Sequence, residues 1–311
     1  MRRILLFSTL VMALSAASSA SAFAQAVRPA SERDAILATT AWVADHMKDP
    51  NVVILHVGPV ADYPAKHIPG ARLVNFSGAG WTAPRAADTL ALELPAPEEL
   101  RSTLAALGIS DHSRIVVYQA KKSFAQATRV VLTLNWAGLG ANTRLMDGGL
   151  DVWESEGRAA SGEVPVVTPG TLAPLKVMPI IASLEDVQKA QTAKGVKILD
   201  ARDRAFYDGT NEGGNAAARN RGHIPGALSV PYSSIYAADG TLKTVEELRT
   251  IFKNAGVEAG DTVITYCHVG QQATSTLLAA RTLGFDVKLY DGSMDEWSLK
   301  KLPVETTIIK K

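Results

Sequence analysis

The chain has a single cysteine, Cys267, in 311 residues. One thiol excludes an internal disulfide framework, a C-x-x-C redox pair and a thiolate-rich zinc or iron-sulfur site. Net charge is also scarce. The 32 basic and 31 acidic residues leave +1, and without residues 1–26, which hold Arg2 and Arg3 and no acid, the count is 30 basic against 31 acidic. A near-neutral chain without Lys/Arg clusters offers no electrostatic reason to expect nucleic acid or an anionic membrane as partner. Beyond residue 26 no apolar run approaches the ~20 residues that a membrane span needs. What is present, 47% hydrophobic and 20% charged residues, is an ordinary globular composition with room for two domains.

The N-terminus reads as a secretory signal peptide over residues 1–26. Met1, Arg2 and Arg3 form a basic start, residues 4–17 an apolar stretch, and Ala22-Phe23-Ala24 and Ala24-Gln25-Ala26 are small-residue cleavage patterns. The apolar stretch, about fourteen residues, is too short for a membrane anchor. The arginine pair is weak support for the twin-arginine route. The expectation is a mature protein that is periplasmic or secreted, with no membrane association after cleavage.

The remainder is a duplication. LRSTLAALGISDHSRIVVY at 100–118 lies without a gap over LRTIFKNAGVEAGDTVITY at 248–266. HIPGA stands upstream at 67–71 and at 223–227, and DGGLDVW at 147–153 is echoed downstream by DGSMDEW at 291–297. Three similar blocks in one order indicate two homologous domains, placed at 27–160 and 178–311 with a Pro/Gly/Thr/Val-rich extended linker at 161–177. Each copy alternates strands and helices. Buried strands are expected at 52–56 and 196–200, at 72–76 and 228–232 after HIPGA, and at 115–118 and 263–266. Helices are expected at 98–107 and 245–255, each stopped by a glycine (Gly108, Gly256), and at 126–138 and 272–284. The fold class that follows is α/β, two tandem domains each built on a parallel sheet with helices on both faces.

Cys267 directly follows the strand 263–266, and Cys267-His268-Val269-Gly270-Gln271-Gln272 leads into a helix. Ligand sites of open α/β sheets lie at the carboxyl ends of strands, and a loop curling into a helix N-terminus turns backbone N–H groups toward an anion. Such a place stabilises a thiolate and an oxyanion beside it. Gly270 allows the bend. The alternative is a buried structural cysteine, the ordinary fate of a lone thiol; the strand, helix and glycine around it favour a nucleophile. In the first copy Gln119 stands in its place, so that half has no thiol chemistry.

Two copies of a domain with HIPGA, a D-x-R after a strand, a strand-Cys-loop-helix and a DG…W ending resemble the tandem-domain rhodaneses, a sulfurtransferase family, over the whole mature chain. The resemblance implies a C-terminal domain in which Cys267 takes a sulfane sulfur from a donor, becomes a persulfide, and hands the sulfur to cyanide, a thiol or a protein acceptor, with no cofactor and no metal. It matches the D-x-R arginine to Arg202, in Leu199-Asp200-Ala201-Arg202, where the first copy has Leu55-His56-Val57-Gly58. A planar, permanently charged donor suits thiosulfate and its sulfite leaving group, both dianions; the other reading of Arg202 is a structural ion pair.

The loop departs from relatives specialised for thiosulfate, which carry two basic residues after the cysteine, and from mercaptopyruvate-specialised ones with a Gly/Ser-rich loop. Here His268 is a charge donor when protonated or a solvent-facing rim residue, and Gln271 and Gln272 are hydrogen-bond donors to a sulfonate or one of them caps the helix. With Val269 and Gly270, these complete the expected donor-binding set. Thiosulfate, 3-mercaptopyruvate and a persulfide-carrier role without small-molecule turnover all stay open. A cysteine-phosphatase reading fails, because Ala273 and Thr274 stand where a longer loop closing on arginine is needed. His67 and His223 are read as turn geometry rather than metal ligands, since the copy without a cysteine has the same histidine. Arg219 and Arg221, in the unmatched stretch 208–221, are read as solvated charge with a possible reach to the cleft.

Overall fold

A computed structural model describes residues 31–78, 80–84, 89–122, 124–211 and 221–307. Residues 1–26, expected as a signal peptide, and Arg219 lie outside the described residues. The first half runs α1 (Glu32–Ile36), β1 (Leu37–Ala38), α2 (Thr40–His46), β2 (Val52–Val57), β3 (Arg72–Leu73), α3 (Pro97–Ala106), β4 (Arg114–Gln119), α4 (Phe124–Trp136), β5 (Thr143–Met146) and α5 (Gly149–Ser155). The second runs β6 (Ile181–Ala182), α6 (Leu184–Ala190), β7 (Val196–Asp200), α7 (Arg204–Tyr207), β8 (Leu228–Ser229), α8 (Val245–Ala255), β9 (Thr262–Tyr266), α9 (Ala273–Thr282), β10 (Asp286–Tyr290) and α10 (Ser293–Leu299).

Each half builds one five-stranded sheet, ordered β1-β5-β4-β2-β3 and β6-β10-β9-β7-β8. Every pairing is parallel, with His56 opposite Tyr118 in the first sheet and Asp200 opposite Tyr266 in the second. Covered on both faces, the central strands read as unbroken apolar runs, and all six residues of β2 are buried. Alternate side chains divide between two layers. Ile54, Val116 and Tyr118 pack with Trp153, while Val53, Leu55 and Val117 pack with Leu100 and Leu104 of α3 and Val130 of α4. The second sheet repeats this, with Ile198, Ile264 and Tyr266 against Trp297 on one face.

The helix signals have direct structural causes. Thr244 and Glu247 close a capping box at the start of α8, and Gly256 ends it at φ +97°. The strands expected at 72–76 and 228–232 are only two residues long. As edge strands they need few ladder bonds, and the chain after β8 turns at once into a short 3-10 helix at Tyr232–Ile235. The edge strands β1 and β6, also two residues each, carry too little sequence to show a period.

The stretch 161–177 is extended and lies on the first domain. Ser161 pairs with His67 in both directions at 2.8 Å, Gly170 donates to the Ala105 carbonyl at 2.8 Å, and Leu172 is buried in the core. The halves meet through α4 and α9, where Thr128 Oγ1 bonds Thr274 Oγ1 at 2.8 Å and Ser275 Oγ at 3.0 Å. One apolar cluster runs through the junction, from Leu55 and Val130 to Val230, Phe252 and Leu278.

Candidate active site

Cys267 sits one residue beyond β9, at the carboxyl edge of the second sheet and beside its centre, and is 1% exposed. Its backbone is pinned on both sides. Its N–H donates to Ser293 Oγ at 3.2 Å, Ser293 donates to the Tyr290 carbonyl at 2.9 Å, and the Cys267 carbonyl accepts from Met294 N at 3.1 Å. From Val269 to Gln272 no backbone N–H makes a hydrogen bond to any described residue; the carbonyls of Gln271 and Gln272 start α9 by accepting from Thr274 and Ser275. A run of donors without a described acceptor, leading into a helix N-terminus, is an arrangement suited to an anion.

The expected loop residues are brought together. His268 is half-buried, its ring edge-on to Phe206 with centroids 4.6 Å apart, and its carbonyl accepts from Asp295 N at 3.0 Å. Val269 and Gln271 are half-buried, and Gly270 is buried at φ +74°. Gln272 holds the N-cap position of α9, but its side chain makes no capping bond, and its buried Oε1 has no described partner. Helix capping therefore does not account for Gln272. Arg221 is exposed.

Arg202 requires a correction. It was expected to offer its guanidinium to the donor, and the structure buries it at 2% exposure with Nε and Nη2 occupied. Nε donates to Asp200 Oδ1 at 2.9 Å, Nη2 to Asp200 Oδ2 at 2.5 Å and to the Gly222 carbonyl at 2.6 Å. Asp200 also accepts Tyr266 Oη at 2.7 Å, and Tyr266 accepts Ile224 N of the second HIPGA at 3.1 Å. Burial lowers the proton affinity of Arg202, but the Asp200 carboxylate more than offsets this and the net shift is upward, with a further contribution from the Cys267 thiolate. Arg202 thus makes the ion pair of the alternative reading. The physical reason is Asp200, which, buried with no exposure, requires a cation.

His67 and His223 share one seat at Nδ1 in the two copies, each against a backbone carbonyl (Tyr63 O at 2.7 Å, Tyr207 O at 2.8 Å) with its ring stacked on that tyrosine. Among the described residues no group of three or more His, Cys, Asp or Glu side chains could hold a metal, and no helix is long and apolar enough to cross a membrane.

Two residues escaped the sequence reading. Ser293 adopts φ +51°, where the first copy has Gly149 at φ +61°, so a serine holds a left-handed position that its counterpart fills with glycine. The mismatch between DGS and DGG was the available signal. Arg129, fully buried in α4 of the first domain, reaches across to the cysteine loop, and no local pattern marks it.

A model of the rhodanese-like domain matches residues 39–156 and again residues 183–300. The chain belongs to the rhodanese family. It is 31% identical to the sulfur carrier protein TtuD of Thermus thermophilus, over 84% of this chain and 93% of that protein. It is 30% identical to the 3-mercaptopyruvate sulfurtransferase of Escherichia coli (85% and 95% covered) and 27% identical to the thiosulfate sulfurtransferase of Rattus norvegicus (88% and 94%). The crystal structure of the 3-mercaptopyruvate sulfurtransferase SseA from Escherichia coli superposes with a TM-score of 0.71 at 28% identity, covering 83% of this rhodanese and 98% of that chain.

Proposed function

We propose that this rhodanese is a sulfurtransferase that carries sulfur on Cys267, with thiosulfate as donor. The observation that carries the reading is a single thiol at the carboxyl end of β9, in a loop whose residues 269–272 have backbone N–H groups with no described acceptor. The Cys267 thiolate attacks the outer sulfur of thiosulfate, a new S–S bond forms, the old one breaks, and sulfite leaves with the electron pair. Cyanide or a thiol then attacks the terminal sulfur and returns the thiolate, a ping-pong cycle. These N–H groups bind the negative charge of donor, persulfide and departing sulfite in turn.

Intact-mass spectrometry after incubation with thiosulfate tests this: Cys267 gains one sulfur, about 32 Da, cyanide removes it as thiocyanate, and Cys267→Ser does neither. A wild-type protein that never gains the mass refutes the reading. The similarity to 3-mercaptopyruvate sulfurtransferases supports a second donor, to be decided by kcat/KM for the two compounds. The similarity to a sulfur carrier supports a third role, in which small donors turn over slowly and a protein acceptor is served fast. Residues 1–26 further support export. The same mass measurement on protein recovered outside the cytoplasm should show the chain starting after Ala24 or Ala26; a chain retaining its first residues would refute it.

A further inference from the structure

Arg129 belongs to the domain without a thiol, yet its guanidinium lies in the cysteine loop. Nη1 donates to the Gly270 carbonyl at 3.0 Å and to Asp291 Oδ1, while Nη2 donates to Asp291 Oδ2 at 3.0 Å and to the Leu92 carbonyl at 2.6 Å. Arg129 is fully buried and Asp291 is 12% exposed. A bridge serving only to join the domains would need the carboxylate and nothing more. The bond to Gly270, three residues beyond the thiol, has a separate effect.

In a planar trans peptide the carbonyl and the following N–H point in opposite directions. With the Gly270 oxygen bonded to Arg129, the Gln271 N–H faces away from the guanidinium, and no described residue accepts it. Glycine peptides rotate easily, and Gly270 already stands at φ +74°. Released, the Gly270–Gln271 peptide is free to turn its oxygen into the loop, replacing a donor with an acceptor in the segment that follows the thiol. We propose that Arg129 is a positioning residue that sets the polarity of the cysteine loop, so that the first domain supplies a working part of the site rather than a wall alone. The proposal rests on the reading of Cys267 as the sulfur-bearing nucleophile.

Alkylation of Cys267 by anionic iodoacetate and neutral iodoacetamide tests it. The ratio of the two rates reports anion attraction at the sulfur, and the thiolate fraction cancels in it. The double variant Arg129→Met/Asp291→Asn removes the pair without leaving a buried charge, which favours folding. We expect its ratio to fall about tenfold, the loss of roughly one charged hydrogen bond, with the melting temperature kept. A folded double variant with the wild-type ratio overturns the proposal, because a purely structural bridge would change both rates together.

Should that variant not fold, sulfite titration of the wild-type protein followed by amide NMR decides. The Gln271 resonance is expected to move, and a stationary Gln271 amide beside a responding Cys267 amide overturns the proposal. Neither readout requires sulfur transfer. Wild-type protein that never loads sulfur defeats the proposed function, whereas a sulfur-loading enzyme with an unchanged ratio in the variant defeats only the role of Arg129.

Discussion

Asp200 and His56 stand at the same place in the two sheets, each opposite a tyrosine whose hydroxyl accepts the isoleucine amide of HIPGA. In the second domain the tyrosine donates to a carboxylate, which then requires Arg202. In the first, His56 Nδ1 lies 2.7 Å from Tyr118 Oη, and Gly58 replaces the arginine because a neutral ring needs no cation. Burial, then the nearby His67, pull the His56 pKa down to about 4 from 6.5. Below the unfolded value the unfolded chain binds a proton that the folded domain refuses. Stability is therefore full above pH 6.5 and falls between 6.5 and 4, by about 1.4 kcal/mol per pH unit and about 3 kcal/mol in all. Urea midpoints measured across that window should drop in wild type and flatten in His56→Asn; equal slopes would show that His56 is not the group. The D-x-R signal was legible at the residue scale, but whether its arginine faced substrate or aspartate was not, since two residues on one strand end can point either way.

At the scale of elements, most of β2, β4, β7, β9, α8 and α9 were legible, because the strands are unbroken apolar runs and the helices show a period that stops near Gly256 and Gly284. Of the two-residue edge strands, β3 and β8 lie within longer expected runs, whereas β1 and β6 were not legible, since ladder pairing rather than pattern makes them strands. In the proposed function the cysteine loop carries the chemistry, and Gly270 is tightly enclosed. A Cβ there would lie 2.3 Å from Asp291 Oδ1 and 2.8 Å from the Asp291 carbonyl, at a φ of +74° that L residues avoid. Gly270→Ala should cost about 1–3 kcal/mol of stability and lower kcat/KM for sulfur transfer about tenfold or more while the sheets remain folded. Steady-state rates with circular dichroism check this, and full activity in the variant would show that the loop tolerates a displaced Gly270.

At the scale of the molecule, the two copies share a core. Leu132 of α4 packs in a cluster with Ala201, Cys267, Ala273 and Leu277, so the surroundings of the thiol include the other domain. Unfolding in the calorimeter is expected as one transition with equal calorimetric and van't Hoff enthalpies. Residues 178–311 alone, deprived of that cover, should melt far lower and transfer sulfur poorly; two separate transitions would disprove the coupling.

The sequence by itself determined the duplication, the α/β class and the copy that carries the thiol, because repeats, hydrophobic period and a cysteine after a strand are all local in the chain. Only the tertiary structure decided the partners of the charged groups. Arg202 turns to Asp200 because a buried carboxylate must be neutralised, and Arg129, 141 residues before Gly270, meets its carbonyl because α4 and α9 pack face to face. A buried charge is satisfied by whatever the fold brings near it, and sequence distance carries no record of that choice.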